Sequence, residues 1–303
     1  MKAIRNLFIA SFIFISSSVF SQKSKLEIND IAAKELRLLK KYYNQKIDST
    51  KLIKEIYAPH EQMWKGYLGN SSDFMKWVNS KSLDDVNKWM SNENINPVML
   101  AEYLRVFERK MFFITGEKPH GKWYIFYGPA WTNLGGLGSG EMLIDLANKN
   151  NTSNDVITFV YPHELNHQIY HKIINESEDK VLNRILDEGF ASYVNYIFYQ
   201  KKNSKAKELS YTEDEFKTCQ ANDMALIGYL AKHYTSKDEK FADDLASRSY
   251  KINENLPGGI AYYLGFRIVE EYVKNHGEHS WKEIYKKKPI DVLYDSKILD
   301  LYK

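Results

Sequence analysis

The sequence predicts an α+β fold, mainly α, with a small sheet ahead of a metal-binding helix and a helical C-terminal part. Three observations carry this. Apolar residues recur at helical spacing through most of residues 25–113 and again beyond residue 201. Two short β-rich runs, 122–127 and 141–146, stand between those helical stretches. Close behind them comes His163-Glu164-Leu165-Asn166-His167, an H-E-x-x-H pattern whose two histidines share one helix face. The chain accordingly divides into 1–21, an export signal; 22–120, an N-terminal helical region; 121–200, a metal-binding core; and 201–303, a C-terminal helical region.

Lys2 and Arg5 precede an apolar run from Leu7 to Phe14 and a serine-rich end at Ser21, the order of charged, apolar and small residues in a cleavable signal. The apolar run is shorter than the roughly 20 residues a bilayer crossing needs. The expectation is an exported chain, periplasmic or secreted, with no membrane span once the signal is removed. No cysteine follows the run, so a lipid-anchored lipoprotein is not indicated, and the single cysteine, Cys219, is expected to be a buried apolar side chain. Loss of Lys2 and Arg5 takes the net charge from +3 to +1. A nearly neutral chain with no basic block argues against nucleic acid as a partner. Nothing in the sequence specifies an oligomeric state.

In the N-terminal region Leu36, Leu39 and Tyr43 form one apolar stripe and Leu52, Ile53, Ile56 and Tyr57 another, within about four or five expected helices. Ser82 with Asp85 reads as a capping box, and Asn96-Pro97 as a cap followed by proline in the first turn. A second Pro-His-Glu, at Pro59-His60-Glu61, lacks the second histidine and reads as helix surface. The β runs are joined by glycine-rich residues 131–140, which do not spell G-x-G-x-x-G and do not lead directly into a helix, so nucleotide binding is not indicated. Beyond the metal helix, Thr212 with Glu215 and Ser236 with Glu239 read as capping boxes, and residues 281–303 as short polar helices. The N-x-S/T triplets at Asn70, Asn151 and Asn175 carry little weight, because an exported protein with this signal need not meet a glycosylation system.

The chemistry concentrates in the H-E-x-x-H helix. Histidines four apart lie about one turn, roughly 6 Å, from each other, so one zinc ion can be held by both. Glu164 then stands where it could take a proton from a zinc-bound water. A third ligand is needed. His171 is about 12 Å of rise from His163, too far to share the ion on a straight helix. Glu188, in Asp187-Glu188-Gly189-Phe190-Ala191, lies 21 residues past His167, enough for a turn and a second, antiparallel helix. Asp187 is the rival. Small Gly189 and Ala191 are expected to let the two metal helices approach closely. Pro162 leaves open where the helix begins, costing little in its first turn and about 3 kcal/mol inside it.

This combination resembles the gluzincin group of zinc peptidases, and most nearly the predicted Zn-dependent protease families of bacteria, in which H-E-x-x-H is completed by a downstream E-G-x-A. The resemblance implies a zincin-like core with the metal on His163, His167 and Glu188. It also implies that a sheet edge, here between Leu134 and Leu146, binds extended peptide; a glycine-rich structural hairpin is the other reading of that stretch. Residues 256–269 resemble the G-Y-x-x-G segment of those families with Ala261 in place of the first glycine, which makes Tyr262 the candidate oxyanion donor, ahead of Tyr263, His233, His276 and His279.

The resulting expectation is an exported zinc-dependent peptidase. Glu164 acts as general base on a Zn2+-bound water, and a peptide or protein is the substrate. The alternative is a non-catalytic exported binding or assembly protein that retains a zinc-peptidase fold.

Overall fold

The computed structural model describes residues 26–137, 140–174 and 178–302, so the signal segment and Asn175 lie outside the described residues. Strand β1 (Leu26–Asp30) pairs in parallel with β2 (Gly121–Phe126), Leu26 opposite Gly121 and Asp30 opposite Ile125. The three-residue β3 (Leu134–Gly136) runs antiparallel to β4 (Glu141–Asp145), and β4 pairs in parallel with β2. The order is β1-β2-β4-β3 in an otherwise helical chain. The fold is therefore α+β and mainly helical.

One local expectation is corrected here. Residues 26–30 form a strand where helix was expected. Leu26 and Ile28 alternate with Glu27 and Asn29 over only five residues, and a distant parallel partner decides the outcome. The runs expected as strands do form β2 and β4, which pair in parallel, and the glycine-rich connection supplies β3, which turns back antiparallel on β4 as the hairpin reading of that stretch has it.

Between β1 and β2 come α1 (Ala32–Tyr43), α2 (Glu61–Tyr67), α3 (Ser71–Asn79), α4 (Leu83–Met90) and α5 (Pro97–Thr115). Short helical turns over 49–60 link α1 to α2. Ser82 and Asp85 make the expected reciprocal cap, and Asn96 accepts from the Met99 amide with Pro97 opening α5. Asn70 caps α3 through the amides of Ser72 and Asp73, an interaction worth about 1 kcal/mol. Buried Asn151 donates to the carbonyls of Asn133 and Asp145. Two of the N-x-S/T triplets are thus backbone-fixing devices. His60 is not plain surface either, since its ring stands edge-on to Tyr124 of β2 at 5.7 Å.

At the end of β4, fully buried Asp145 accepts from the amides of Gly128, Ala130 and Ala147 and from the Tyr67 hydroxyl, which ties the loop after β2 to the sheet. Burial raises its pKa and these donors pull against that rise. After β4 follow α6 (Asn154–Phe159), α7 (Tyr161–Ile174) and α8 (Lys180–Phe198). The sheet meets α7 through Trp123, whose indole donates to Gln168 at 2.7 Å and packs edge-on to Tyr161.

The C-terminal part holds α9 (Glu213–Ala221), α10 (Asp223–His233), α11 (Glu239–Ala246), α12 (Ile260–His276) and α13 (Pro289–Ser296). The Thr212–Glu215 box caps α9, but α11 is capped by Asp238 and not by Ser236, since the helix begins only at Glu239. The tail is not polar throughout: Trp281, Ile284, Tyr285, Val292, Leu293 and Ile298 are buried in the core. Cys219 is buried, as expected, in α9.

Helix α8 is the centre of this half, apolar or buried on nearly every side. It crosses α12 where Gly189 meets Gly265. A Cβ on Gly189 would lie 2.1 Å from the Gly265 carbonyl carbon, and one on Gly265 would lie 1.9 Å from the Ile185 carbonyl oxygen. The small residue at 189 therefore serves the contact with α12, not an approach between α7 and α8. Backbone cannot yield as a flexible side chain does, so Gly265→Ala is expected to destabilise the protein by about 3 kcal/mol, the upper end for overpacking. Thermal unfolding of the purified variant, read as a drop of several degrees in Tm, checks this.

Candidate metal centre

Residue Ser153 caps α6 through the Val156 amide, the chain turns at Val160, and α7 starts at Tyr161 with Pro162 as its second residue. A proline there displaces no intrahelical hydrogen bond, and the Glu164 amide already bonds to the Val160 carbonyl. His163 and His167 then project from one face with ring centroids 4.7 Å apart and ring planes at 83°. Glu188 reaches this face from α8.

The three donor atoms form a small triangle. His163 Nε2 and His167 Nε2 are 3.0 Å apart, and Glu188 Oε2 lies 3.3 Å from the first and 3.6 Å from the second. Ligands about 2.0–2.1 Å from a tetrahedral zinc stand about 3.3 Å from one another. The triangle therefore has the dimensions of one face of such a coordination shell. Among the described residues these three are the group whose ligand atoms all fall within 4.8 Å of one another. Glu188 Oε2 is buried and, despite the two nearby imidazoles, accepts no well-directed hydrogen bond. An orphaned carboxylate oxygen facing two imidazole nitrogens fits a divalent cation better than it fits the imidazoles alone.

Around the triangle the other candidates separate by position. Asp187 is turned away from it: Oδ1 binds His167 Nδ1 at 2.8 Å and Oδ2 lies 3.5 Å from His171 Nε2. It orients His167 and occupies no ligand position, while His171 sits at the outer edge, half exposed. Arg184, four residues before Glu188, approaches the other carboxylate oxygen at 3.6 Å and also pairs with Asp243 of α11. The i,i+4 spacing on α8 could have revealed Arg184 from sequence; nothing in the sequence marks Asp243. The Tyr262 ring stacks on His163 at 6.1 Å and its hydroxyl interacts with Glu188. The Arg248 guanidinium lies over the outer region of the same ring, 5.2 Å from its centroid.

The other residues of the sequence reading lie elsewhere. Tyr263 donates to Asp223 at 2.8 Å, His233 packs on Tyr229 and Phe241, and His276 stacks on Tyr272. His279 opens the turn after α12.

The electrostatics favour a positive charge in the cluster. Burial raises the Glu164 carboxyl above its ordinary pKa. Burial also opposes charge on Asp187 and Glu188, yet the adjacent imidazoles outweigh it and hold both carboxyls below their usual range. His167 would lose its charge through burial, but Asp187 and then Glu188 push its pKa up to about 10. Three carboxylates packed round two imidazoles call for a cation between them, whether proton or metal.

The fold and the cluster define a mainly helical protein in which two histidines and one carboxylate converge, on a pair of helices, in a group that could hold a metal ion. Over residues 148–298 the chain matches the family model described as Gliding motility protein GldB, labelled GldB_lipo, and this stretch includes α6 to α13 and every residue of the cluster. No curated protein and no solved structure matches the chain.

The match corrects the reading as a zinc peptidase. The family found is one of gliding motility lipoproteins and not a gluzincin or other peptidase family. The enzymatic assignment falls with it: general-base catalysis by Glu164, an oxyanion role for Tyr262, and a peptide substrate. The physical reason is that H-E-x-x-H with a downstream E-G-x-A encodes two helices able to share an ion, and that pattern is the same whether or not a reaction follows. The match is consistent with an exported, envelope-located protein, and among the described residues no helix is long and apolar enough to cross a membrane.

The Asp187 carboxylate fixes the ring orientation of His167, so Asp187→Asn is expected to weaken zinc binding about 10–100-fold. Titration of the purified chain with zinc against a chromophoric chelator checks this.

Proposed function

We propose that this chain is a non-catalytic exported protein that serves gliding motility by binding, on a zincin-like core, at the periplasmic side of the envelope. The single observation that carries the proposal is the family match over residues 148–298, which spans both ligand helices and the helices that pack on them. His163, His167 and Glu188 hold a zinc ion in this reading. The bound ion supplies the positive charge that the surrounding carboxylates require and cross-links α7 to α8.

The enclosure of the cluster supports a structural use of the metal. The side chains of His163, His167 and Glu188 are only 13%, 13% and 10% exposed. Tyr262 covers His163, Arg184 holds the far oxygen of Glu188, and Asp187 holds the far nitrogen of His167. Three protein ligands leave the fourth corner of a tetrahedral zinc to a group from outside the chain, and the low exposure of the cluster restricts how freely solvent or substrate reaches that corner. Glu164, which is not a ligand, is then a buried neighbour with no reaction to serve.

The test is a comparison of alleles in the bacterium that carries the gene, scored for gliding. Glu164→Gln is expected to leave gliding and zinc content unchanged, whereas His163→Ala and His167→Ala abolish zinc binding and gliding together. The purified wild type is expected to cleave nothing in a broad peptide library. Loss of gliding in Glu164→Gln with zinc content and Tm intact, or cleavage that depends on Glu164, overturns the binding reading.

A further inference from the structure

Helix α5 crosses the outside of the molecule with an unusual exposed face. Its inner side is fixed by Leu100, Leu104 and Met111, all buried. Its outer side carries Met99, Val106 and Phe113, exposed by 40%, 45% and 87%. These three are seven residues apart, and since a heptad step drifts by only about 20° on an α-helix, they form one nearly straight apolar ridge along two successive pairs of turns.

The ridge has basic margins. At 100° per residue, Arg105 and Arg109 fall on one side of it and Lys110 and Tyr103 on the other, all exposed, with the Lys110 ammonium held at the Phe198 carbonyl and over the Phe198 ring. Neither arginine forms an ion pair among the described residues. Glu102 is the one acidic residue on the exposed arc. The ridge ends at a surface pocket of about 540 Å3 that Phe113 shares with Ile114, Ile197, Lys201, His279 and Lys282. Lys201 pairs there with Glu278 at 3.2 Å, while Lys282 lies over the Trp281 ring. A half-exposed apolar ridge with unpaired arginines along one margin is the pattern of a helix that lies in the plane of a bilayer interface, with apolar side chains among the acyl chains and cations at the phosphates.

We propose that α5 and the adjoining pocket dock the protein flat on a membrane surface rich in anionic lipid. Phe113, Val106 and Met99 enter the interface, and Arg105, Arg109 and Lys282 meet the lipid phosphates. Charge complementarity selects this occupant over a neutral bilayer, and the continuous apolar ridge selects it over a free anion, which has no use for Phe113. The docking face lies on α5, outside the metal cluster, and does not depend on the metal or on the reading above.

The experiment uses the full chain with an environment-sensitive dye on Tyr103→Cys, because Cys219 is buried and stays unlabelled. A dye at this point reports on α5 alone, whatever the N-terminal apolar run does. Vesicles of phosphatidylglycerol are expected to shift the emission to the blue, vesicles of phosphatidylcholine not to, and high salt to reverse the shift. In the labelled chain Phe113→Glu weakens the response at least tenfold, and Arg105→Gln with Arg109→Gln weakens it about thirtyfold, with circular dichroism unchanged. The proposal is overturned by no response to either lipid, which would leave the ridge to an acidic protein partner. It is overturned equally by equal responses to both lipids, or by variants that respond like the parent.

Discussion

The crossing of α8 and α12 at Gly189 and Gly265 is the constraint on which the rest of this half depends. Contact at the level of backbone atoms allows α8 almost no rotation about its own axis. With Gly189 pinned against α12, Glu188 is turned by one residue, about 100°, and faces α7. Tyr262 lies nearly one turn before Gly265 on α12, which brings its ring to the other side of His163. The positions of the carboxylate and the phenol thus follow from one steric contact that involves neither of them. The second histidine is set independently, through Asp187, so the two helices are registered both by packing and by a charged hydrogen bond.

Holding that arrangement carries an electrostatic cost. Asp187 and Glu188 are buried on a helix otherwise filled with Val181, Leu182, Ile185, Leu186 and Phe190, and an unpaired carboxylate in such surroundings is strongly destabilising. The chain answers with Arg184, His163, His167 and His171, all within 3.6 Å of one of the two carboxylates. Arg184 reaches outward to Asp243 as well, which links the cluster to α11. Replacing the whole set with apolar side chains would make a better core. Its presence is therefore more economically explained by an ion than by stability of the apo fold.

How much of this was legible in the sequence depends on whether the information was local. The helix caps at Ser82, Asn96 and Thr212 could be read because each involves four consecutive residues. The spacing of His163, His167 and Glu188 was legible for a similar reason, as it needs only one helix, a turn and a second helix. Strand β1 was not legible: five residues with two apolar positions have no preference of their own, and their state is decided by β2. The role of Gly189 was misplaced because its partner, Gly265, lies in a helix whose packing cannot be inferred from spacing. Asn70 and Asn151 carried a known triplet, yet Asn70 works as a local helix cap and Asn151 bonds to the Asn133 carbonyl, which only the fold brings near.

The correction of function has the same origin. A ligand set is local and survives in sequence, whereas catalysis also needs an open coordination position, an accessible cleft and a substrate contact, none of which a spacing specifies. In this chain Tyr262 of α12 and Arg184 and Asp187 of α8 pack round the cluster, and H-E-x-x-H specifies none of them. Glu164 is retained beside it, and retention of one residue of a catalytic pattern is weak support for a reaction; burial raises its pKa and the two adjacent imidazoles offset that rise only in part. The pattern H-E-x-x-H then argues for a metal more strongly than for hydrolysis: two imidazoles and one carboxylate have to converge for the first, while everything else the second requires lies outside those five residues.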